Sequence, residues 1–159
     1  MRYRLLCVGK LKQDFLKEAC AEYIKRLRPY GELTCIEVPE AKTTTRPSEK
    51  EREAQLEEEG NALLQHIRPQ DYLIVLDLHG KELSSTDFAA KLASLAVDGI
   101  GEVTLAIGGA YGLGANLRKR AQFRWALSPL TFTHQMTRYL VLEQLYRAAK
   151  INHREPYHW

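Results

Sequence analysis

"DYLIVLDLHGK", residues 71–81, decides the fold. From Tyr72 to Leu76 no charged side chain interrupts the run, and Gly80 closes it. A strand wet on one face alternates apolar and polar residues. A continuous run, β-branched at its centre, belongs to a strand covered on both faces, as central parallel strands are. Parallel neighbours need long crossovers, usually helical, so helices should flank this run.

They do. Upstream, Ser48 and Glu51 have capping-box spacing and open a highly charged helix to about Arg68. Downstream, Ser85 or a neighbour caps a helix through Val97. Further out, "YRLLCV" (3–8), "LTCIEV" (33–38), "EVTLAIGG" (102–109) and "FRWALS" (123–128) read as strands. Asp14–Arg28, 116–122 and 135–150 read as helices, the first with Phe15, Leu16, Ala19, Tyr23, Ile24 and Leu27 at helical spacing. "PEAKTTTRP" (39–47) is a polar loop with no apolar anchor, expected to be mobile. The alternation predicts an α/β fold in one domain, 1–159, with a mainly parallel sheet and helices on both faces.

Composition narrows the class. With 45% apolar and 27% charged residues the chain is globular, and no apolar run approaches the roughly 18 residues of a membrane helix. The N-terminal apolar stretch is too short for a signal peptide, which predicts a cytoplasmic protein. Cys7, Cys20 and Cys35 lack metal-site spacing and sit in apolar segments, so they read as buried, reduced thiols.

Charge is unevenly divided. Residues 1–102 hold 15 Lys/Arg against 18 Asp/Glu, whereas 103–159 hold 8 against 2. No acidic residue occurs between Val103 and Leu142, a stretch that includes Arg118, Lys119, Arg120, Arg124 and Arg138. Such a patch suits a polyanion such as RNA; the plainer alternative is a solvated helix face.

In open α/β sheets ligands bind beyond the carboxyl ends of the strands. Three strands here end in loops able to serve: "LDLHGK" (76–81), "IGGAYGLG" (107–114) and "LSPLTFTHQ" (127–135). Each has an ordinary structural explanation too. The glycines fit a tight turn, Asp77 a cap or ion pair, and Ser128-Pro129 a strand end. No register of "GGAYGLG" gives the dinucleotide fingerprint and no acid follows at ribose-binding distance, which counts against a nicotinamide oxidoreductase. Walker and nucleophile-elbow motifs are absent. His153 and His158 do not have metal-site spacing.

The last helix is apolar on more than one face, with Tyr139, Leu140, Val141 and Leu142 consecutive. Either it is fully buried in the domain or a second copy of the chain covers it. The chain then ends on "HREPYHW" (153–159), unusually rich for a terminus.

Six segments in order carry a resemblance: "VGKLK" (8–12), "LDLHGK" (76–81), "IGGAYGL" (107–113), "LSPLTFTHQMTR" (127–138), "LEQLYRA" (142–148) and "PYH" (156–158). The chain resembles the RlmH family of SPOUT methyltransferases over essentially its whole length. The resemblance implies a homodimeric α/β fold with a C-terminal trefoil knot. It implies S-adenosylmethionine-dependent methylation of N3 of a pseudouridine in helix 69 of 23S rRNA, on the assembled 70S ribosome and without a metal. It places Leu76, Gly108, Leu127, Ser128, Pro129, Leu130, Thr131 and Phe132 around the methyl donor.

By the same resemblance, Arg147, Tyr157 and His158 handle the substrate base. His158 is the first candidate to accept the N3 proton, with arginine-assisted deprotonation by water as its rival. Arg118, Lys119, Arg120 and Arg124 would hold phosphates. Two residues depart from the pattern. Thr133 replaces a usual proline, which predicts a less rigid loop end, and Trp159 replaces a common basic residue. A non-catalytic ribosome-binding or assembly factor of the same fold is the alternative function.

Overall fold

A computed structural model describes residues 1–157 of the chain. Among them, β1 (Arg2–Val8), β2 (Leu33–Val38), β3 (Tyr72–Glu82), β4 (Glu102–Ile107) and β5 (Phe123–Ala126) form one sheet. Its order is β2-β1-β4-β3-β5 and every pairing is parallel. The helices are α1 (Asp14–Leu27), α2 (Glu49–Leu64), α3 (Ser85–Val97), α4 (Ala115–Arg120) and α5 (His134–Asn152).

The apolar run that opened the sequence lies inside this sheet. Leu73, Ile74 and Val75 have no solvent exposure, nor do Leu5 and Leu6 of β1 or Leu105 and Ala106 of β4. Successive residues face opposite layers. Leu5, Ile74 and Leu105 pack with Phe88, Leu92, Val141 and Leu145 in a layer made by α1, α3 and α5. Leu6, Val75 and Ala106 pack with Leu63 and Leu117 in a layer made by α2 and α4. Each such side chain contributes about 1.5–3 kcal/mol when fully buried.

The caps are local. Ser48 Oγ accepts from Glu51 N at 3.1 Å, and Ser84 Oγ accepts from Asp87 N at 3.0 Å. Helix α2 stops at Leu64 rather than Arg68. Pro69 disfavours helix at the residue before it, and Arg68 N instead donates to Asp71 Oδ2 at 2.8 Å. Three further expectations need correction. The 39–47 loop does have an anchor, because Ala41 is buried and its carbonyl accepts from Gln55 Nε2 at 3.4 Å. Cys7 and Cys20 are buried free thiols, but Cys35 is exposed because β2 is an edge strand. Helix α5 is not fully buried: Val141, Leu142, Leu145, Ala148 and Ala149 are, whereas Met136, Tyr139, Leu140 and Tyr146 are only half-buried. Among the described residues, no helix is long and apolar enough to cross a membrane.

Candidate active site

The three strand-end loops meet. They line one cleft of about 750 Å³ at the carboxyl ends of β3, β4 and β5, closed on its other sides by the first turns of α1 and α5. The crevice forms there because the chain leaving β3 crosses to the α3 layer while the chain leaving β4 crosses to the α4 layer.

Each wall has its own local cause. Strand β3 pairs with β5 through Leu76, bulges over Asp77–Gly80, and pairs again from Lys81. Asp77 makes the bulge by accepting from His79 N through Oδ1 at 3.0 Å, an Asx turn. The second wall is a tight turn in which Gly112 N donates to Gly109 O at 3.1 Å. Gly112 has φ +93°, a left-handed conformation suited to glycine, and a Cβ on Gly108 would collide with the Gly112 carbonyl. In the third wall Ser128 Oγ accepts from Leu130 N at 2.8 Å. Thr133 then caps α5, its Oγ1 accepting from Met136 N at 3.2 Å. A threonine therefore fixes this loop end by a bond proline cannot make, and the expected loss of rigidity is offset.

Leu76, Gly108, Leu127, Ser128, Leu130, Thr131 and Phe132 all line this cleft, while Pro129 lies within the same loop but outside the wall. Sequence reasoning did not single out Gln13, Tyr111 or His134, which also line it. The volume and largely apolar wall suit a small organic ligand with a few polar groups. Two buried polar atoms on lining residues, Trp125 Nε1 and His134 Nε2, have no hydrogen-bond partner among the described residues. His134 Nε2 is 3.4 Å from Glu40 Oε1, without hydrogen-bond geometry. Buried orphans of this kind are rare unless a ligand or water completes them.

Arg147 and Tyr157 form a second cluster, toward the other end of α5. Arg147 Nη2 pairs with Glu143 Oε1 at 2.5 Å, and its guanidinium lies 4.6 Å from the centre of the Tyr157 ring. Tyr157 Oη lies 3.0 Å from Tyr23 Oη and donates to Glu143 Oε1 at 3.2 Å. Burial, then the Tyr23 hydroxyl and the Glu143 charge, push the Tyr157 phenol well above its ordinary range, so it stays protonated. The helix end itself turns the tail back. Arg154 is left-handed (φ 56°), and Glu155 N donates to Lys150 O at 2.9 Å, closing a Schellman motif. Glu155 then binds Tyr30 and Lys150. His158 and Trp159 lie outside the described residues.

The basic stretch does not act as one surface. Arg138 is buried, bonding Glu37 Oε2 at 2.7 Å and Gly9 O at 3.0 Å. Arg120 donates to the carbonyls of Arg68 and Asp71 at 2.8 and 3.0 Å. Arg118 and Arg124 both bond Asp77 Oδ2, and Lys119 is exposed. Burial alone would raise the Asp77 carboxyl, but the His79 N–H and the two guanidiniums hold it below the usual carboxylate range.

Comparison with known proteins identifies the family. A family model described as "Predicted SPOUT methyltransferase" matches residues 1–158. The chain is 44% identical to a Desulforamulus reducens protein named ribosomal RNA large subunit methyltransferase H, and 42% identical to one of that name from Desulfitobacterium hafniense. Both alignments cover 99% of each chain. Among solved structures, "Probable Methyltransferase from Bordetella pertussis Tohama I" is similar in fold, with a TM-score of 0.56 and 16% identity. That match covers 92% of this chain and 95% of the other. From its full-length match and its parallel sheet with a glycine-walled cleft, this chain belongs to the SPOUT methyltransferase family.

Proposed function

We propose that this chain transfers a methyl group from S-adenosylmethionine to N3 of a pseudouridine in helix 69 of 23S rRNA. It works as a single knotted domain, a homodimer, on the assembled 70S ribosome in the cytoplasm. The observation that carries this reading is the convergence of Leu76, Gly108 and the Leu127–Phe132 loop on one cleft. The relatives named as large-subunit rRNA methyltransferases, matched over 99% of their length, support the substrate class. The adjacency of the 107–114 and 127–137 segments around that cleft supports a C-terminal knot.

The donor supplies a methyl group already activated on a sulfonium. The chain must align it and prepare the nucleophile. The Leu76, Leu127 and Phe132 side chains and the glycine turn hold the donor and exclude water from it. The uracil N3–H is a weak acid, and His158 accepts its proton as the N3 lone pair takes the methyl group. Arg147 stabilises the negative charge that builds on the flanking carbonyls. Tyr157, held protonated, stacks on the base or donates to it and does not act as the base.

Among the described residues the two clusters lie toward opposite ends of α5. At 1.5 Å per residue, Arg147 lies about 20 Å along α5 from the cleft-lining His134. In the dimer, Arg147, Tyr157 and His158 of one copy therefore serve the cleft of its partner. The half-buried Met136, Tyr139 and Leu140 supply apolar surface for that contact.

The test is methyl transfer to 70S ribosomes and to isolated subunits, with the modified nucleotide mapped. Modification at N3 of a helix 69 pseudouridine, on 70S ribosomes, is expected. His158→Ala should retain donor affinity by calorimetry while turnover falls about 10²- to 10⁴-fold. Absence of donor binding in the native chain would favour a non-catalytic ribosome-binding factor instead.

A further inference from the structure

We propose that Arg118 and Arg124, fixed by Asp77, form a built receptor for one RNA phosphate at the mouth of the cleft. This rests on the RNA reading above and deepens it: Asp77 is a positioning residue and the two arginines are the ligands.

The geometry is specific. Asp77 has a side chain only 2% exposed, and one of its oxygens, Oδ2, accepts from Arg118 Nε at 3.0 Å and Arg124 Nε at 2.8 Å. The other oxygen is occupied by the His79 N–H. Both arginines are held through Nε, and among the described residues the Nη atoms of neither meet a protein acceptor. The arginine side chains are 36% and 43% exposed. One carboxylate thus faces two guanidiniums, leaving a net positive charge and two planar forks of unspent donors. Such forks match phosphate oxygens in shape as well as charge.

The position favours a polymer over a small acid. Arg118 lines the cleft but Arg124 does not. A carboxylate inside the cleft, such as that of the methyl donor, would reach Arg118 alone. A phosphodiester lying across the mouth reaches both. Neighbouring Arg120 is excluded because its Nη2 already serves the Arg68 and Asp71 carbonyls.

Binding of the full-length protein to 70S ribosomes, measured across a salt series, tests this. Arg118→Lys/Arg124→Lys keeps both charges and loses both forks; ribosome affinity should fall about tenfold, well beyond any change in donor affinity. Arg118→Gln/Arg124→Gln should flatten the log–log salt slope by about 0.7–0.9, the value for one phosphate and not two. Asp77→Asn raises the local positive charge yet should weaken binding, with circular dichroism reporting that the fold is retained. Native affinity in the double lysine variant overturns the receptor, and tighter binding by Asp77→Asn overturns the positioning role. A loss confined to S-adenosylmethionine affinity reassigns the arginines to the donor carboxylate and also overturns it. Failure of the unmodified protein to bind or methylate ribosomes is a separate result, and removes the functional reading and the receptor together.

Discussion

Two buried aspartates gather arginines, Asp71 just before β3 and Asp77 at the bulge within it, and the two clusters are balanced differently. At the amino end, Asp71 accepts from Arg4 Nη1 at 3.1 Å and from Arg68 Nε at 2.9 Å. Arg68 continues to Glu102 at 2.6 Å, and Arg4 donates again to His66 O at 2.7 Å. Arg120 is drawn in through backbone carbonyls. At the bulge, Asp77 alone faces two arginines, each held by a single bond. Spent donors tie the floor of the sheet together. Unspent donors stand beside the cleft. The same residue types therefore serve stability before the strand and recognition at its bulge, and only the accounting of hydrogen bonds separates them.

The largest effect should come from the floor. Asp71→Asn takes the charged partner from the largely buried Arg4 guanidinium and should cost about 3 kcal/mol, while Arg68 keeps Glu102. For a chain of this size that lowers Tm by about 6–12 °C, while methyl transfer at low temperature persists. Asp77→Asn should cost less, about 1–2 kcal/mol, because both of its arginines can turn to solvent, whereas Arg4 at Asp71 is largely buried. A larger thermal loss at Asp77 than at Asp71 would break the contrast.

Acid should sharpen it next. Burial opposes ionisation of Asp71, but hydrogen bonds from Arg68 and the charges of Arg68 and Arg4 hold its carboxyl below the usual range. Asp77 is lowered in the same way. A carboxyl with a lower folded than unfolded pKa stabilises fully above about pH 4, and that stability goes as pH falls through the carboxylate range. Thermal unfolding from pH 6 to 3 should show Tm falling most steeply below about pH 4, and less steeply in Asp71→Asn. A flat Tm over this interval would count against both pairings. The smallest effect expected is from Thr133→Ala, about 1 kcal/mol through loss of the α5 cap, measured by denaturant midpoint.

Much of this was readable from residues alone because it is local. The Tyr72–Leu76 run implied cover on both faces, and Ser48 and the glycine pair announced a cap and a turn, whereas Gly80 does not close the strand: β3 bulges there and runs on to Glu82. The three strand-end loops followed from the strands, so their meeting in one cleft followed as well. What escaped is what depends on partners distant in sequence. Counting charge put Arg138 among surface cations, yet Glu37, 101 residues away, draws it inside. Arg120 looked free until the Arg68–Asp71 turn was brought against it. Asp77 carried one local clue, an acidic residue two places before the His79 amide it binds. Its arginines lie 41 and 47 residues on, beyond the reach of any spacing rule.

The bulge in β3 has a consequence for how such a site changes over time. Because β3 pairs with β5 on both sides of Asp77–Gly80, those residues form an inset in a ribbon whose register is set elsewhere. Drift at Leu78 or His79, both exposed, can alter the cleft wall without shifting a single strand partner. Gly80 is the fixed point, since a Cβ there would lie 2.5 Å from the Arg124 carbonyl oxygen. Selection can thus retune what the cleft accepts while folding is inherited unchanged.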